Sequence, residues 1–482
     1  MKSLHALVAA AMLLLAAAGP ASAIGMGFGE ARATAMGGAY TALATGVHAP
    51  WWNPANLAAR RGPTFEIDLT NVGVLVGNDG ISYGDFLKWV DDGVVTSTEI
   101  HEALDGLPGN TVNLRNNVEA GALSIVAGRF ALTVGAITLV DAALPRGIFD
   151  ALSDDRDPLV AYEEARTTGI PRDLSGARAD VWGVGTVGVS YARLIDLAAF
   201  DRFAAGMTLE GFASGPRARV VESTGQVLVR PSTWQADARL VTELNGMRIK
   251  RTKTVDNAGK ETTKTEVEVD KTVPWGLGMN LGVAGLWRKK TYFSVALHNI
   301  PLRKITWKSG ERRTYTINNG SRIVNAQTLA NDKPEGMSTQ DYLDSLFAPA
   351  GGKVEQVEKL GSASAAVPSY LRAGLARDFF GDRITLTADV EQGLSNTAIT
   401  STTPRVATGV ELRPLGNWVP LRAGMSIGGQ QGHFATLGFG LHLLALHFDF
   451  ALVSQGSFTP FEVPFAKSAT GLGVAMETKL SF

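Results

Sequence analysis

The chain has 482 residues, of which 45% are hydrophobic and 19% are charged, and its formal net charge is −1. This near-neutral balance argues against nucleic acid as a partner, because phosphate binding needs clustered positive charge. The absence of cysteine excludes thiol chemistry and fits an exported chain without disulfides.

The N-terminus has the pattern of a secretory signal peptide. Lys2 supplies the positive charge, residues 7–18 form an unbroken apolar run, and Ala21-Ser22-Ala23 provides the small residues of a cleavage site. The apolar run is shorter than the about 20 residues that a membrane-spanning helix needs. We therefore expect residues 1–23 to be a cleaved signal peptide rather than a retained anchor.

The segment 24–61, which precedes the first predicted strand, is rich in small residues. It contains Gly29-Glu30-Ala31-Arg32-Ala33-Thr34-Ala35-Met36-Gly37-Gly38-Ala39-Tyr40 and then Trp51-Trp52-Asn53-Pro54-Ala55-Asn56-Leu57. Small side chains allow close packing in a confined space. Gly37 and Gly38 permit backbone conformations that bulkier residues avoid, and Asn53-Pro54 favours a turn.

These two motifs resemble the start of FadL-type outer-membrane barrels. That superfamily includes long-chain fatty-acid and hydrocarbon transporters and the PorV-like barrels of a secretion system. The resemblance implies a barrel of fourteen strands in which segment 24–61 folds into the lumen as a plug. It also implies that the plug or gate includes Gly37, Gly38, Trp52, Asn53 and Pro54. The alternative is a segment that only caps the periplasmic mouth and never moves.

From residue 62 to 482 hydrophobic residues alternate with polar ones, which is typical of strands with one apolar face. In the run 444–452 the apolar face consists of Leu444, Leu446, Phe448, Phe450 and Leu452. A long apolar face opposite a charged one predicts lipid outside and water inside a closed barrel. About fourteen strands are predicted, at 62–76, 115–127, 129–141, 178–193, 201–214, 275–287, 290–300, 366–380, 383–394, 402–414, 418–429, 431–442, 444–454 and 469–482.

The lengths of the links between these strands alternate. The tight links are 127–129, 286–290, 380–382 and 415–417, and the long polar ones are 77–114, 142–177, 215–274 and 301–365. Bacterial outer-membrane barrels have short periplasmic turns and long external loops. The predicted fold is thus all-β, a closed antiparallel transmembrane β-barrel over 62–482. A soluble β-sandwich would also alternate apolar and polar residues, but it needs no alternation of link lengths.

The long links contain apolar residues at helical spacing. Short helices are predicted at 86–90, 98–107 and 338–347 within the external loops. Phe86, Trp89 and Leu104 are the predicted lining of a ligand groove, although the helices also suit simple packing over the barrel mouth. The segment 241–272 predicts an exposed hairpin around Asn257-Ala258-Gly259.

The sequence contains no pattern for catalysis, a metal or a cofactor. Its seven histidines form no H-E-x-x-H motif, and no G-x-S-x-G motif is present. We expect no enzyme activity, no catalytic residue, no metal and no cofactor. Because half-buried charges must pair, ion pairs are expected across the lumen face. They would join Arg372, Arg383, Arg405, Arg413, Arg422 and Lys479 to Asp389, Glu391, Glu411, Asp449 and Glu477.

Together with these features, the resemblance to FadL-type barrels implies an outer-membrane channel of a Gram-negative bacterium that admits fatty-acid-like or hydrocarbon molecules through a plugged barrel. Both termini would lie on the periplasmic side. The alternative function is a PorV-like structural or secretion-partner barrel that binds proteins through its loops. The expected partners are outer-membrane lipid, a hydrophobic small molecule or a protein, and the barrel assembly machinery, which would recognise Phe482.

Overall fold

The computed structural model describes most of the predicted barrel and the segment before it. The described residues are 29–60, 62–78, 81–82, 84, 102, 105, 111–121, 123–147, 170–229, 234–255, 261–318, 355–397, 400–429, 432–456 and 469–482. Within them the chain forms a closed antiparallel β-barrel of fourteen strands, which confirms the predicted fold class.

The elements are numbered in chain order. The helices are α1 (Ala31–Ala35), α2 (Ala49–Trp52) and α3 (Asn56–Ala59), with a 3-10 turn at Gly46–His48. The strands are β1 (Phe65–Asn78), β2 (Thr111–Gly121), β3 (Ser124–Ala127), β4 (Phe130–Pro145), β5 (Ile170–Asp173), β6 (Arg178–Leu194), β7 (Arg202–Val229), β8 (Trp234–Asn245), β9 (Met247–Val255), β10 (Glu261–Val269), β11 (Trp275–Trp287), β12 (Thr291–Arg303), β13 (Ile305–Trp307), β14 (Gly310–Asn318), β15 (Glu355–Leu360), β16 (Ala363–Ala365), β17 (Tyr370–Phe379), β18 (Ile384–Gly393), β19 (Arg405–Leu412), β20 (Leu421–Gly428), β21 (Phe434–Leu443), β22 (Leu446–Gln455) and β23 (Gly471–Ser481). In the described part of the chain, every helix is too short or too polar to cross a membrane.

The barrel closes because its last strand pairs with its first. β23 lies antiparallel to β1, from the pair Gly77–Gly471 to the pair Glu66–Ser481. Each remaining wall strand pairs with the next one along the chain. The ring is β1, β2 with β3, β4, β6, β7, β11, β12, β17, β18, β19, β20, β21, β22 and β23. A closed ring has no unpaired edge strand to expose to lipid.

Side chains alternate between the two faces of the wall, as the sequence predicts. On β18, Leu386 and Val390 point outward and are 47% and 46% exposed, whereas Thr387 and Asp389 point inward and are buried. Aromatic pairs cluster on the outer face near the short turns, at Phe65–Phe482, Phe130–Tyr191 and Phe200–Phe293. Aromatic girdles of this kind mark the interface between lipid and water.

The second strand of the ring is interrupted, although 115–127 was predicted as one strand. β2 ends at Gly121 and β3 begins at Ser124, and Leu123 between them has a φ of 50°. β1 keeps one register along both pieces, whereas the pairing with β4 shifts by one residue, from Gly121–Gly135 to Ile125–Leu132. An extra residue on one strand of a pair produces such a bulge.

The long links 142–177, 215–274 and 301–365 contain strands that extend the sheet beyond the barrel. β7 continues past the predicted 201–214 to Val229 and pairs with β5 and β8, while β14 pairs with β8 and β15. Glu243 on β8 forms ion pairs with Arg219 on β7 at 2.5 Å and with Arg312 on β14 at 2.6 Å. The charges that gave these links a polar character therefore pair across neighbouring strands.

The predicted hairpin within 241–272 is confirmed. β9 pairs with β10 from Met247–Val269 to Val255–Glu261, on either side of the predicted turn. The turn residues Asn257-Ala258-Gly259 lie outside the described residues.

Candidate functional site

Residues 29–60, called the lumen segment below, lie inside the barrel. α1 packs against β20 to β23, and α3 packs against β6, β7 and β11 on the opposite side of the ring. All but a few residues of the lumen segment are buried. The segment thus spans the barrel from wall to wall.

The wall makes room for the lumen segment with glycines. A methyl group on Gly409 would lie 2.6 Å from the carbonyl oxygen of Met36, and one on Gly135 would lie 3.2 Å from Trp51. On seven strands, inward-facing glycines approach the segment in this way: Gly135, Gly206, Gly282, Gly374, Gly409, Gly424 and Gly438. Side chains at these positions would occupy the space that the segment fills.

Gly37 and Gly38 bend the segment, with φ angles of 68° and 77°. Residues with a Cβ rarely adopt these angles. A methyl group on Gly37 would also lie 2.6 Å from the backbone nitrogen of Met425 on β20. Glycine is therefore required here both by conformation and by space.

Asn53 fastens the second half of the segment to the wall. Its side chain is fully buried, and Nδ2 donates to the carbonyl oxygens of Val283 and Val295 at 2.9 and 3.0 Å. Nδ2 also lies 2.6 Å from Ser294 Oγ, while Oδ1 accepts from the N–H of Ala55 at 2.9 Å. The next residue, Pro54, lies against Gly206 of β7. This one amide joins the segment to β11 and β12.

Wall carboxylates bind backbone N–H groups of the first half. Asp389 on β18 accepts from Tyr40 and Thr41 at 2.9 and 2.7 Å. Glu66 on β1 accepts from Val47 at 2.8 Å. Hydrogen bonds to ionised acceptors are stronger than neutral ones, so these contacts fix the path of the segment.

The ion pairs predicted for the lumen face are present and extend to the segment. Glu411 binds Arg32 of α1 at 2.8 Å, Arg422 at 2.6 Å and Arg413 at 2.5 Å. The further pairs are Arg422–Asp449, Arg372–Glu391, Arg405–Glu391 and Lys479–Glu477. Of the predicted set, Arg383 and Asp389 form no ion pair with a described residue, and Asp389 accepts backbone N–H groups instead. Half-buried charges are thus compensated within the wall and by the segment.

His48 forms a buried link between the segment and β23. Its Nδ1 lies 2.9 Å from Glu30, and its Nε2 lies 2.8 Å from Glu477. Burial acts to lower the pKa of His48, but Glu30 and Glu477 outweigh it and raise the pKa well above its ordinary value. Lys479, with Nζ 2.7 Å from Nε2, opposes this rise. The imidazole is therefore held in its charged form between two carboxylates.

Trp52 contacts both another residue of the segment and a residue of β17. Its indole Nε1 donates to Glu30 at 2.6 Å, and the guanidinium of Arg372 lies 4.1 Å from the centre of its ring. The same guanidinium is 4.9 Å from the ring of Tyr370, which stacks on His298 at 4.8 Å. Such stacking fills the lumen beside the segment with aromatic surface.

An apolar cluster lies in the lumen on the side of the long loops. Its members are Trp182, Val184, Phe212, Ile305, Trp307, Val367 and Tyr370. The rings of Trp182 and Trp307 are 5.8 Å apart, and Trp307 Nε1 donates to the carbonyl oxygen of Gly215 at 2.9 Å. Trp307 reaches the cluster because β13 and β16 pair in a short ribbon. Sequence reasoning missed Trp307 because it lies in a polar link.

Three cavities adjoin these features. A chamber of about 1330 Å³ lies on the short-turn side and is lined by charged residues, among them Arg60, Asp382 and Arg413. A cavity of about 450 Å³ on the long-loop side is lined by polar residues such as Asp141 and Thr400. A cavity of about 70 Å³ lies between the lumen segment and the wall. Cavities with charged or polar linings thus lie on both sides of the apolar cluster and the lumen segment.

The predicted site residues have different outcomes. Gly37, Gly38, Trp52, Asn53 and Pro54 all lie in the lumen segment described above. The predicted groove residues Phe86, Trp89 and Leu104 lie outside the described residues. Among the residues that are described, no three His, Asp or Glu side chains are grouped so as to hold a metal ion.

The sequence matches one protein family, and the structure is similar to several solved structures. Residues 54–454 match a family described as "Family of unknown function (DUF5723)". None of the curated proteins matches the sequence.

Among solved structures, the chain is similar to the toluene transporter TodX of Pseudomonas putida. The identity is 13% over 95% of this chain and 99% of that chain, with a TM-score of 0.46. It is also similar to a FadL homologue of Pseudomonas aeruginosa (13% identity, 96% and 98% of the two chains, TM-score 0.44). A third similar structure is the monoaromatic hydrocarbon channel CymD (12% identity, 93% and 97%, TM-score 0.43). The resemblance to FadL-type barrels extends over nearly the whole chain.

Replacing Gly282 with Val should loosen the lumen segment, because the new side chain would overlap that of Asn53. We expect hydrogen–deuterium exchange of residues 29–60 to rise by about tenfold while the wall strands stay protected. The matched control is Gly211→Val on β7, where an added methyl group meets nothing closer than the carbonyl oxygen of Val187 at 3.8 Å. Equal protection of the segment in both variants would contradict the space argument.

The charged His48 predicts a pH-dependent stability. Because the folded-state pKa is raised, its contribution is complete below the ordinary histidine pKa of about 6.5 and is lost as pH rises through the raised value. Between about pH 7 and pH 10 the thermal midpoint of the native protein should fall more than that of His48→Gln. His433→Gln, at a histidine outside the segment, should follow the native curve. Parallel curves for His48→Gln and the native protein would exclude this role.

Proposed function

The chain belongs to the DUF5723 family of unknown function, and we propose that it is an outer-membrane channel that admits small hydrophobic molecules past a gate formed by its lumen segment. The short-turn end would face the periplasm, since bacterial barrels place their short turns there. The end of β23 and the start of β1 would meet on that side, because Phe482 pairs with Phe65, and both termini would lie there.

The observation that carries this proposal is the apolar cluster inside the lumen. The interior of a water-filled porin is polar, whereas here Trp182, Phe212 and Trp307 are 4%, 6% and 1% exposed within the barrel. Sites for small molecules combine apolar and aromatic walls with a few polar groups. A hydrophobic molecule can replace the contacts that these side chains make with one another, whereas a hydrated solute cannot.

The position of the lumen segment supports its role as a gate. Residues 29–60 contribute no strand to the wall, so their displacement breaks no pairing between wall strands. Polar contacts hold much of the segment in place, including those of Asn53 and Asp389. A neutral hydrogen bond such as that of Asn53 contributes only about 1 kcal/mol, and a bond to a carboxylate such as Asp389 contributes about 1.5–3 kcal/mol, since water can replace either one. The loop residues Phe86, Trp89 and Leu104 would form the entrance on the external side.

A protein-binding scaffold is the second candidate, and one observation favours it. The strands β5, β7, β8, β14 and β15 form a sheet beyond the barrel, and the hairpin β9–β10 adjoins it. A transport channel does not need such a sheet. If the scaffold function is correct, removing residues 247–269 should abolish co-purification of a protein partner from the native membrane and leave uptake unchanged.

The aromatic cluster can be tested through Trp307. In cells that lack their own hydrophobic-substrate channels, Trp307→Ser should slow uptake of labelled long-chain fatty acid or toluene by about five- to tenfold, since it removes a fully buried aromatic side chain of the cluster. The control is Trp275→Ser, because Trp275 is 47% exposed on the outer wall. Uptake that is equal in both variants would contradict passage through the cluster.

The gate can be tested by deleting residues 25–56 while keeping the signal peptide. The open lumen should then admit a small sugar that the native channel excludes, because the segment no longer fills the space between the glycines. The measurement is sugar entry into proteoliposomes, with barrel folding checked by heat-dependent mobility on gels. A folded deletion variant that still excludes the sugar would show that the segment does not close the channel.

A further inference from the structure

The polar cavity of about 450 Å³ on the long-loop side, called the mouth pocket below, has two unlike sides. One side carries the charged residues of β4, β6 and β7, which are Asp141, Arg178, Asp180 and Arg219. The other side carries uncharged residues of the link between β18 and β19, which are Asn396, Thr397, Thr400 and Ser401. Because β4 and β19 lie on opposite sides of the ring, the pocket extends across the mouth of the barrel.

Each charged residue of the mouth pocket already has a partner of opposite charge. The pairs are Arg178–Asp141 at 3.4 Å, Asp180–Arg217 at 2.5 Å and Arg219–Glu243 at 2.5 Å. Glu243 also binds Arg312, and the guanidinium of Arg312 lies 3.7 Å from Glu358, so acids and bases balance. The pocket therefore offers neither sign of charge in excess. A charged ligand would have to compete with these pairs for its counter-ion.

The link between β18 and β19 adds uncharged hydrogen-bonding groups. Asn396 Oδ1 accepts from the N–H and the hydroxyl of Thr402 at 2.7 and 3.0 Å, which leaves its Nδ2 group to donate. Ser401 Oγ accepts from the N–H of Thr403 at 3.0 Å, so its own hydroxyl hydrogen can donate. Across the pocket, the carboxylates of Asp141 and Asp180 act only as acceptors. Donors on one side and acceptors on the other suit a ligand with several hydroxyl groups, since each hydroxyl both donates and accepts.

The mouth pocket adjoins the apolar cluster of the lumen. Asp180 of the pocket and Trp182 of the cluster lie on the same face of β6, about 7 Å apart along the strand. Arg217 connects them, because it binds Asp180 and its guanidinium lies 4.9 Å from the centre of the Trp182 ring. Polar groups and apolar surface thus follow one another along the lumen.

We propose that the mouth pocket binds the uncharged, hydroxyl-rich head group of an amphiphile whose apolar tail contacts the cluster around Trp182. This assignment rests on the proposed function, since it names the class of hydrophobic molecule that the channel admits. The volume of about 450 Å³ lies within the range of about 300–1,000 Å³ that small-molecule sites occupy.

Other classes of ligand fit this arrangement less well. The hydroxyls of such a head replace water at the donors and acceptors of the pocket. A carboxylate or an ammonium would lose its own hydration without gaining a free counter-charge. A hydrocarbon would use the cluster alone and make no use of the pocket.

The test is calorimetric titration of the full-length protein in lipid nanodiscs with four ligands that share one apolar chain. They are hexyl β-glucoside, 1-hexanol, hexanoate and hexylammonium, and nanodiscs without protein correct for partition into lipid. We expect saturable binding of hexyl glucoside that is tighter than that of each other ligand by about fivefold or more, because only this ligand forms several hydrogen bonds without a charge.

The charge balance can be tested with Asp180→Asn, which keeps an oxygen to accept from Arg217 but removes its counter-charge. Hexanoate should then bind about threefold tighter than it binds the native protein, while hexyl glucoside gains nothing. The matched control is Asp196→Asn, which removes the same charge from the exposed short link between β6 and β7. It should leave both affinities unchanged.

The assignment is overturned if hexanoate, hexylammonium or 1-hexanol binds the native protein as tightly as hexyl glucoside, a comparison that needs no variant. An Asp180→Asn protein that binds hexanoate no better than the native protein would also overturn it. Either result leaves the transport proposal standing where toluene uptake depends on Trp307. Conversely, equal uptake in Trp307→Ser and Trp275→Ser contradicts the transport proposal without deciding which head group binds.

Discussion

Within a bilayer, every backbone N–H and C=O group must find its partner inside the protein, and the pairing of β23 with β1 is how this chain meets that requirement. Closure fixes the direction of every wall side chain, because successive residues on a strand point to opposite faces. It also encloses a lumen that side chains from the wall alone do not fill. The lumen segment, the apolar cluster and the cavities all depend on that enclosed space.

The lumen segment both provides partners for the buried charges of the wall and fills the space between them. Inward carboxylates such as Asp389, Glu66 and Glu411 need partners because they are removed from water. The lumen segment supplies these partners through its backbone N–H groups and Arg32. The wall and the segment are thus chemically complementary, and the glycines of the wall make them complementary in shape as well.

Much of this structure could be predicted from the sequence, because the wall strands have one face in lipid. The prediction of a strand at 383–394 agrees with β18 at Ile384–Gly393 because its apolar and polar residues alternate cleanly. The strands beyond the barrel were missed because both of their faces meet water, so charged residues such as Arg219 and Glu243 look like those of a loop. The position of Leu123 in a bulge depends on the pairing with β4, which no local pattern encodes.

The candidate site was predictable only where its residues are set apart by local sequence signals. Gly37, Gly38 and Asn53 stand out in the sequence through backbone chemistry that is local. By contrast, the hydrogen bond from the Gly29 N–H to Glu119 joins residues 90 positions apart, and no local pattern encodes it. Trp307 likewise gains its place from the β13–β16 ribbon, whose strands are separated by more than fifty residues of sequence.

The lumen segment also constrains the order of assembly. It is the first described part of the chain, yet Asp389, which holds Tyr40, lies 349 residues later, and Glu477, which holds His48, lies later still. Contacts between such distant residues cannot form until the intervening chain has folded, because closing so long a loop has an entropic cost that only the finished structure offsets. The contacts of the segment with β18 and β23 therefore form only once those strands are in place, whereas Val47 can bind Glu66, which is only 19 residues away, at an early stage. Its small residues from Ala31 to Ala44 suit a segment that packs into a lumen already enclosed by most of the wall.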